Sequence, residues 1–147
     1  MLVNQILSLK GPGGSGIVTI QSTATVEEAA KLLAEKRIGA VVVSDDGKKP
    51  VGILSERDIV RELSKQGAAV LSGPISGLMT RNVSTCSTGE DTLAVLERMT
   101  EGRFRHLPVV DEAGNMLGIV SIGDAVSARL KELNDEKEAL TGMIMGS

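Results

Sequence analysis

GIVSIGD, Gly118 to Asp124, reads as the end of a buried strand running into a helix. GILSERD, Gly52 to Asp58, has the same frame 66 positions upstream. In both, an apolar run ends on a Ser with an Asp three residues later. A Ser at N-cap with an acidic residue at N3 is a capping box. The same atoms suit a ligand. A helix N-terminus presents free N–H groups and positive potential, so it can hold a phosphate. A Ser hydroxyl there can donate to a phosphate oxygen, and a nearby carboxylate can accept from both hydroxyls of a ribose. The two readings are compatible: a ligand takes over a cap that the empty protein satisfies internally.

Working outward from the two stretches, the whole chain repeats. Thr25 and Glu28 form a capping box for a helix whose inner face is Val26, Ala29, Ala30 and Leu33. Gly39 to Val43 is too short for a helix and rich in Val, so it reads as a buried strand. Asp46-Gly47 marks a turn, Val51 to Leu54 a second strand, and Ser55 a helix with Ile59, Val60 and Leu63 inward. The order then recurs. Thr92 caps a helix with Leu93, Leu96 and Met99 inward, Leu107 to Val110 is a strand, Gly114 sits in the turn, Leu117 to Val120 is a strand and Ser121 opens the last helix. Thr25 pairs with Thr92, Val43 with Val110, Gly52 with Gly118 and Asp58 with Asp124, at an offset of 66 or 67. Val3, Ile6 and Leu7 match Ile75, Leu78 and Met79 in spacing, so each repeat opens with a short apolar helix and one strand (Val18 to Ile20, Ser84 to Cys86). Ser64 to Ser76 reads as the connector, with the repeats at 1–72 and 73–147. Neither half is large enough to be comfortable alone. An α/β (α+β) fold of two pseudo-symmetric halves packed through their sheets is expected, with two equivalent clefts at the seam, where ligand sites are favoured.

Composition narrows the function classes. Apolar content of 41% with 24% charge describes a globular chain with an aliphatic core, since there is one Phe and no Trp or Tyr. A net charge of −3 with mixed signs does not suit non-specific nucleic-acid binding. A single Cys (Cys86) and a single His (His106) leave no internal disulfide and no Cys/His metal cluster. Cys86 reads as a packed strand residue. No apolar run reaches the ~20 residues of a membrane span, and MLVNQILSLKG lacks the basic start and long apolar centre of a signal peptide. A cytoplasmic location is the expectation.

Gly11, Gly13 and Gly16 satisfy G-x-G-x-x-G, but a dinucleotide-binding turn follows a strand and opens a helix. Here a helix precedes and a strand follows, and Pro12 removes a backbone donor, so the segment reads as a connector. GRFRHLPVV, Gly102 to Val110, is more informative, because Arg103, Arg105 and His106 cluster where an otherwise apolar strand begins. Arg binds phosphate bidentately. Against this, a lone Arg is usually a solvated charge and a lone His a hydrogen-bonded ring. Both sit one hairpin from a candidate phosphate-binding helix start. The first repeat has Ile38 and Gly39 at the matching positions, with Arg57 as a possible substitute cation, so the two clefts are expected to be unequal.

In register, T-V-E-E-A-A, I-G-A-V-V-V, G-I-L-S-E-R-D, L-M-T-R-N-V-S-T, F-R-H-L-P-V-V-D and G-I-V-S-I-G-D resemble a tandem pair of cystathionine-β-synthase (CBS) domains, a Bateman module. The resemblance covers nearly the whole chain. It implies two β-α-β-β-α units, usually dimerised, with adenosine-containing ligands in the clefts: AMP, ADP, ATP, NAD(H) or S-adenosylmethionine. It further implies that Asp58 and Asp124 hold ribose, and that Ser55 and Ser121, with Arg105 and His106, approach phosphate. Thr19, Ile20, Thr85 and Cys86, with Ile38, Ala40, Leu107 and Pro108, surround adenine, and Gly39, Val41, Arg57 and Phe104 complete the ligand-binding set. Small stand-alone members with a similar F-R-H-L-P-V point to AMP and/or NAD(H), as does the Arg-His pair. The lack of a side-chain cation on the first-repeat strand puts full phosphate binding there in doubt.

Three function classes follow. The first is a nucleotide-sensing regulatory homodimer acting on a partner protein, with no catalytic residues and no metal. The second is an enzyme using Ser121, His106 and Asp124, although Asp124 shares a helix with the Ser and no nucleophile-elbow pattern is present. The third is an interaction protein with vestigial clefts. Val126, Leu130, Leu133 and Leu140 form a near-heptad stripe that suits packing on its own domain or a dimer contact.

Overall fold

The computed structural model describes residues 1–10 and 17–145. The Gly11/Gly13/Gly16 connector lies outside the described residues. The elements run α1 (Val3–Leu9), β1 (Thr19–Ile20), α2 (Val26–Lys36), β2 (Ala40–Val43), β3 (Gly52–Ser55), α3 (Glu56–Gln66), 3-10 turns at Gly67–Ser72 and Ile75–Gly77, α4 (Thr92–Gly102), β4 (His106–Val110), β5 (Met116–Ser121) and α5 (Ile122–Met145). This is the mixed helix-and-strand architecture read from the sequence.

Two compact units result. The first-repeat unit holds β1 to β3, α2, α3 and the 3-10 turns. β2 is central, parallel to β1 (Thr19 opposite Val42) and antiparallel to β3 (Ala40 opposite Ser55). A strand covered on both faces needs no polar alternation, and all four residues of β2 are buried. α2 starts on the expected capping box, with the Glu28 N–H donating to Thr25 Oγ1 at 3.2 Å. Val26, Ala29 and Leu33 are buried beneath it. The stretch read as a bare connector is structured: α3 continues to Gln66, and Val70 and Ile75 are buried in the same core. Two backbone bonds fasten it, Val26 N–H to Gly73 O and Ile75 N–H to Ala24 O.

The other unit holds α1, α4, β4, most of β5 and α5. α1 comes to this unit from the front of the chain. Its Val3 and Ile6 share a core with Cys86, Val95, Met99, Leu107, Val109 and Val120. At seven residues α1 is too short to persist by itself. It is held by bonds from Val3 N–H to Glu90 O and Asn4 N–H to Thr88 O. Each repeat's leading apolar segment is therefore buried in the unit built by the other repeat. Compact units and sequence repeats are different partitions of the chain.

Several local readings are corrected. Asp91, not Thr92, is the N-cap of α4, accepting the Leu93 N–H at 3.1 Å. Thr92 is the first helical residue and is fully buried, its hydroxyl donating to Met1 O at 2.6 Å. This turns the helix by one position, so Val95 and Met99 face inward while Leu93 is exposed. On α3 only Ile59 is buried, and Val60 and Leu63 are exposed. Ser84 to Cys86 is not a strand but a single parallel bridge, Cys86 to Val109. That bridge also resets the repeat offset. Cys86 pairs with Val109 as Ile20 pairs with Val43. Both first helices close on a left-handed Arg, Arg37 (φ 55°) and Arg103 (φ 58°). The strands therefore align at 66 throughout, and Val43 corresponds to Val109 rather than Val110.

The turn after α4 depends on one glycine. A Cβ on Gly102 would run into the Phe104 ring, which packs on the core beneath. Gly102→Ala is expected to lower the unfolding free energy by about 1–3 kcal/mol through overpacking. The check is the urea midpoint: an unshifted transition would show that the ring is free to move aside.

Candidate functional site

The two helix starts are built alike. The strand before each helix ends on Ser, and the next N–H has no partner within the helix. A carbonyl at the beginning of the neighbouring strand takes it: Ile122 N–H donates to Arg105 O at 2.8 Å, and Glu56 N–H to Gly39 O at 2.9 Å. The side chains then close a reciprocal box. Ser121 N–H donates to Asp124 Oδ2 at 2.9 Å while Asp124 N–H donates to Ser121 Oγ at 3.0 Å. At α3 the same bonds are Ser55 to Asp58 Oδ2 at 2.9 Å and Asp58 N–H to Ser55 Oγ at 3.3 Å. Capping is thus a fact at both sites. The carbonyl bonds also fix the counterpart of Arg105 as Gly39 and that of His106 as Ala40, one position on from the pair taken from the sequence. The first repeat still offers no strand cation.

The starts differ in what remains open. At α3 the Ser55 hydroxyl also donates to Asp58 Oδ2 at 3.0 Å, and Arg61 donates to Asp58 Oδ1 at 3.1 Å. Both carboxylate oxygens and the hydroxyl proton are engaged. At α5 the outside cation is Lys10, at the end of α1. Its Nζ lies 3.0 Å from Asp124 Oδ2 and donates to Ile119 O at 2.9 Å. Lys10 and the Ser121 N–H share one oxygen. Among the described residues, Asp124 Oδ1 and the Ser121 hydroxyl proton have no hydrogen-bond partner.

Burial pushes the Asp124 carboxyl up, but the Ser121 N–H and the Lys10 ammonium outweigh it and hold the group below its ordinary value of 3.8.

Neither contacting cation was anticipated. Arg61 was within reach of sequence reasoning, being three residues from Asp58 on one helix. Arg57, the expected substitute, is exposed on the same turn, and it is Arg61 that meets the carboxylate. Lys10 is 109 residues from Ile119 and leaves no local signal.

The remaining candidates fall into two groups. Val41, Leu107 and Cys86 lie within the two hydrophobic cores, and Ala40 and Pro108 are also buried. Ile38 and Phe104 pack partly buried against those cores. Thr19 and Ile20 form β1, half-buried beside β2. The Thr85 carbonyl accepts from Arg98 at 2.7 Å, and Arg98 is itself paired with Glu90. Arg105 is exposed and His106 half-buried at the start of β4. Burial, reinforced by the Glu90 carboxylate, pushes the Cys86 thiol up to about 11, so at neutral pH it is a protonated packing group.

The CBS domain family model matches residues 15–65 and 75–131. The chain belongs to the CBS-domain family. It is 43% identical to a CBS-domain-containing protein from Agrobacterium tumefaciens, with a TM-score of 0.81 over 88% of this chain and 99% of that one. The CBS domain pair of protein MJ0100, solved in complex with 5′-methylthioadenosine and S-adenosyl-L-methionine, is 30% identical, with a TM-score of 0.77 over 90% and 98%. A CBS domain protein from Pyrobaculum aerophilum, solved with AMP, is 31% identical, with a TM-score of 0.73 over 84% and 89%. CBS pairs similar to this chain thus hold ligands built on adenosine.

The box at α5 predicts an acid sensitivity. Because the folded Asp124 carboxyl titrates below 3.8, its contribution to stability is complete above that value and is lost as pH falls through the lower folded value. Asp124→Asn is expected to unfold with a shallower loss of stability between about pH 5 and about pH 3 than the unmodified chain. Denaturant titrations across that range test it, and equal slopes would remove Asp124 from the acid response.

Proposed function

We propose that the chain is a regulatory adenine-nucleotide-binding module. In this reading AMP and/or NAD(H) binds at the starts of α3 and α5, and the ligand state is passed to a partner protein in the cytoplasm without chemistry on the nucleotide. Asp58 and Asp124 take the ribose hydroxyls. Ser55, Ser121, Arg105 and His106 face phosphate, and the half-buried Thr19, Ile20, Ile38 and Thr85 wall the base. The observation that carries the reading is the α5 start, where among the described residues Asp124 Oδ1 and the Ser121 hydroxyl proton have no partner, beside the exposed Arg105. A ribose diol supplies donors for the first and a phosphate an acceptor for the second. The adenosine ligands of the two similar CBS proteins support it.

Calorimetry with AMP, NADH, ATP and S-adenosylmethionine tests the reading. Asp124→Ala is expected to weaken AMP about ten- to a hundredfold by removing hydrogen bonds to a charged group. Asp58→Ala should cost less, because Asp58 is already engaged by Ser55 and Arg61. Equal losses would refute the inequality of the sites. Preference for S-adenosylmethionine would replace AMP as the ligand, and flat traces for all four would leave an interaction protein with vestigial sites. The chain has no Trp or Tyr, so a nucleotide retained through purification would dominate its near-ultraviolet spectrum. At a hundred times the dissociation constant, a ligand adds about 2.7 kcal/mol of stability.

The proposed assembly is a homodimer through α5. Every residue from Leu133 to Met145 is exposed, and Leu130 (62%) and Leu140 (61%) lie on the same stripe. A helix with an apolar stripe that its own unit leaves open suits a second copy. Leu130→Glu with Leu140→Glu is expected to shift sedimentation from dimer to monomer with the fold intact. An unchanged dimer would move the interface elsewhere.

A further inference from the structure

Lys10 arrives at the α5 start from the opposite end of the chain, and its three ammonium protons are unevenly used. One faces Asp124 Oδ2 at 3.0 Å and one is donated to Ile119 O at 2.9 Å. The third has no partner among the described residues. An ammonium has three donors and no acceptor, so what the third proton meets must be an acceptor. Both anchors are half-buried: the Lys10 side chain is 21% exposed and that of Asp124 24%. The charge is therefore held in place rather than sweeping through solvent.

Among the described residues, three valences are then left at one helix start: Asp124 Oδ1 as acceptor, the Ser121 hydroxyl as donor, and the third proton of Lys10 as a charged donor. By sharing Oδ2 with the Ser121 N–H, Lys10 neutralises Asp124 without covering Oδ1. A bare carboxylate would make the helix start negative and repel phosphate. With Lys10 in place, the helix dipole and the exposed Arg105 set the sign.

We propose that Lys10 is the specificity-determining residue of the α5 site, reading an anionic group on the adenosine ligand and selecting phosphorylated adenosine over neutral or sulfonium-bearing adenosines. The inference rests on the adenine-nucleotide reading of the same site and sharpens it. The first repeat has no equivalent, since the cation on Asp58 is the half-exposed Arg61 of its own helix, bound to the oxygen that Lys10 leaves open on Asp124.

The test compares AMP, adenosine and S-adenosylmethionine by calorimetry on the full chain, with and without Asp58→Ala, so that any contribution of the α3 start is separated from that of the α5 start. Lys10→Met is expected to weaken AMP about tenfold by removing one charge-assisted bond. Adenosine should stay within about twofold and S-adenosylmethionine should bind more tightly, since a repelling charge has gone. Lys10→Arg should restore the preference for AMP. AMP binding to Lys10→Met should also depend less on salt than binding to the unmodified residue. Parallel losses for AMP and adenosine would make Lys10 a structural clip and overturn the inference, as would an unchanged AMP-to-adenosine ratio. Binding of neither ligand with Lys10 intact would remove the nucleotide site itself, and the role of Lys10 with it.

Discussion

The backbone bond that ties the first residue of α3 and of α5 to the beginning of the neighbouring strand organises both halves of this chain. Ile122 N–H to Arg105 O and Glu56 N–H to Gly39 O do more than satisfy an orphan donor. Each fixes where a helix begins relative to a strand of its own unit, and so fixes where Ser and Asp must stand. A helix start leaves N–H groups that have no partner within the helix. The Ser–x–x–Asp box answers that need within the chain. It is also the arrangement that puts a hydroxyl, a carboxylate and a positive helix end within reach of one small molecule.

That economy explains what was legible in the sequence. The box residues, the valine-rich central strand and the 66-residue repeat are local or periodic, and each leaves a mark over a few positions. Six short motifs in register were enough to identify the CBS pair. What failed were single-position choices between two competent residues. Asp91 and Thr92 can both cap a helix, and the backbone decided for Asp91 because Thr92 is needed to hold Met1. That one-residue slip carried through to the inner face of α4 and to the apparent match of Val43 with Val110. Val60 and Leu63 looked inward because periodicity reports which residues share a face, not how wide the covered face is.

Contacts made across the whole length of the chain were not legible at all. The apolar spacing of α1 signalled a short helix but could not say whose core it fills. Its Val3 and Ile6 complete the core of the unit built by the second repeat, and the 3-10 turn at Ile75 does the same for the first. Lys10 reaches Asp124 only because α1 is docked there. The ammonium beside Asp124 is thus placed by packing, and nothing in its neighbours announces it.

The two starts also show how one frame gives two states. At α3 each group that a ribose or phosphate would need already has an internal partner, so a ligand must first break the bonds from Ser55 and Arg61 to Asp58. Each such bond is worth only roughly 1 kcal/mol net, so exchanging internal bonds for ligand bonds leaves little driving force there. At α5 the cap is closed by the two backbone N–H bonds, while among the described residues Oδ1 and the Ser121 hydroxyl proton have no partner, so on the proposed reading a ligand adds bonds there. The empty protein keeps its fold in either case, since the caps do not depend on the ligand. A site that is structurally complete when empty, yet still has valences to give, can change occupancy with concentration and leave the scaffold intact.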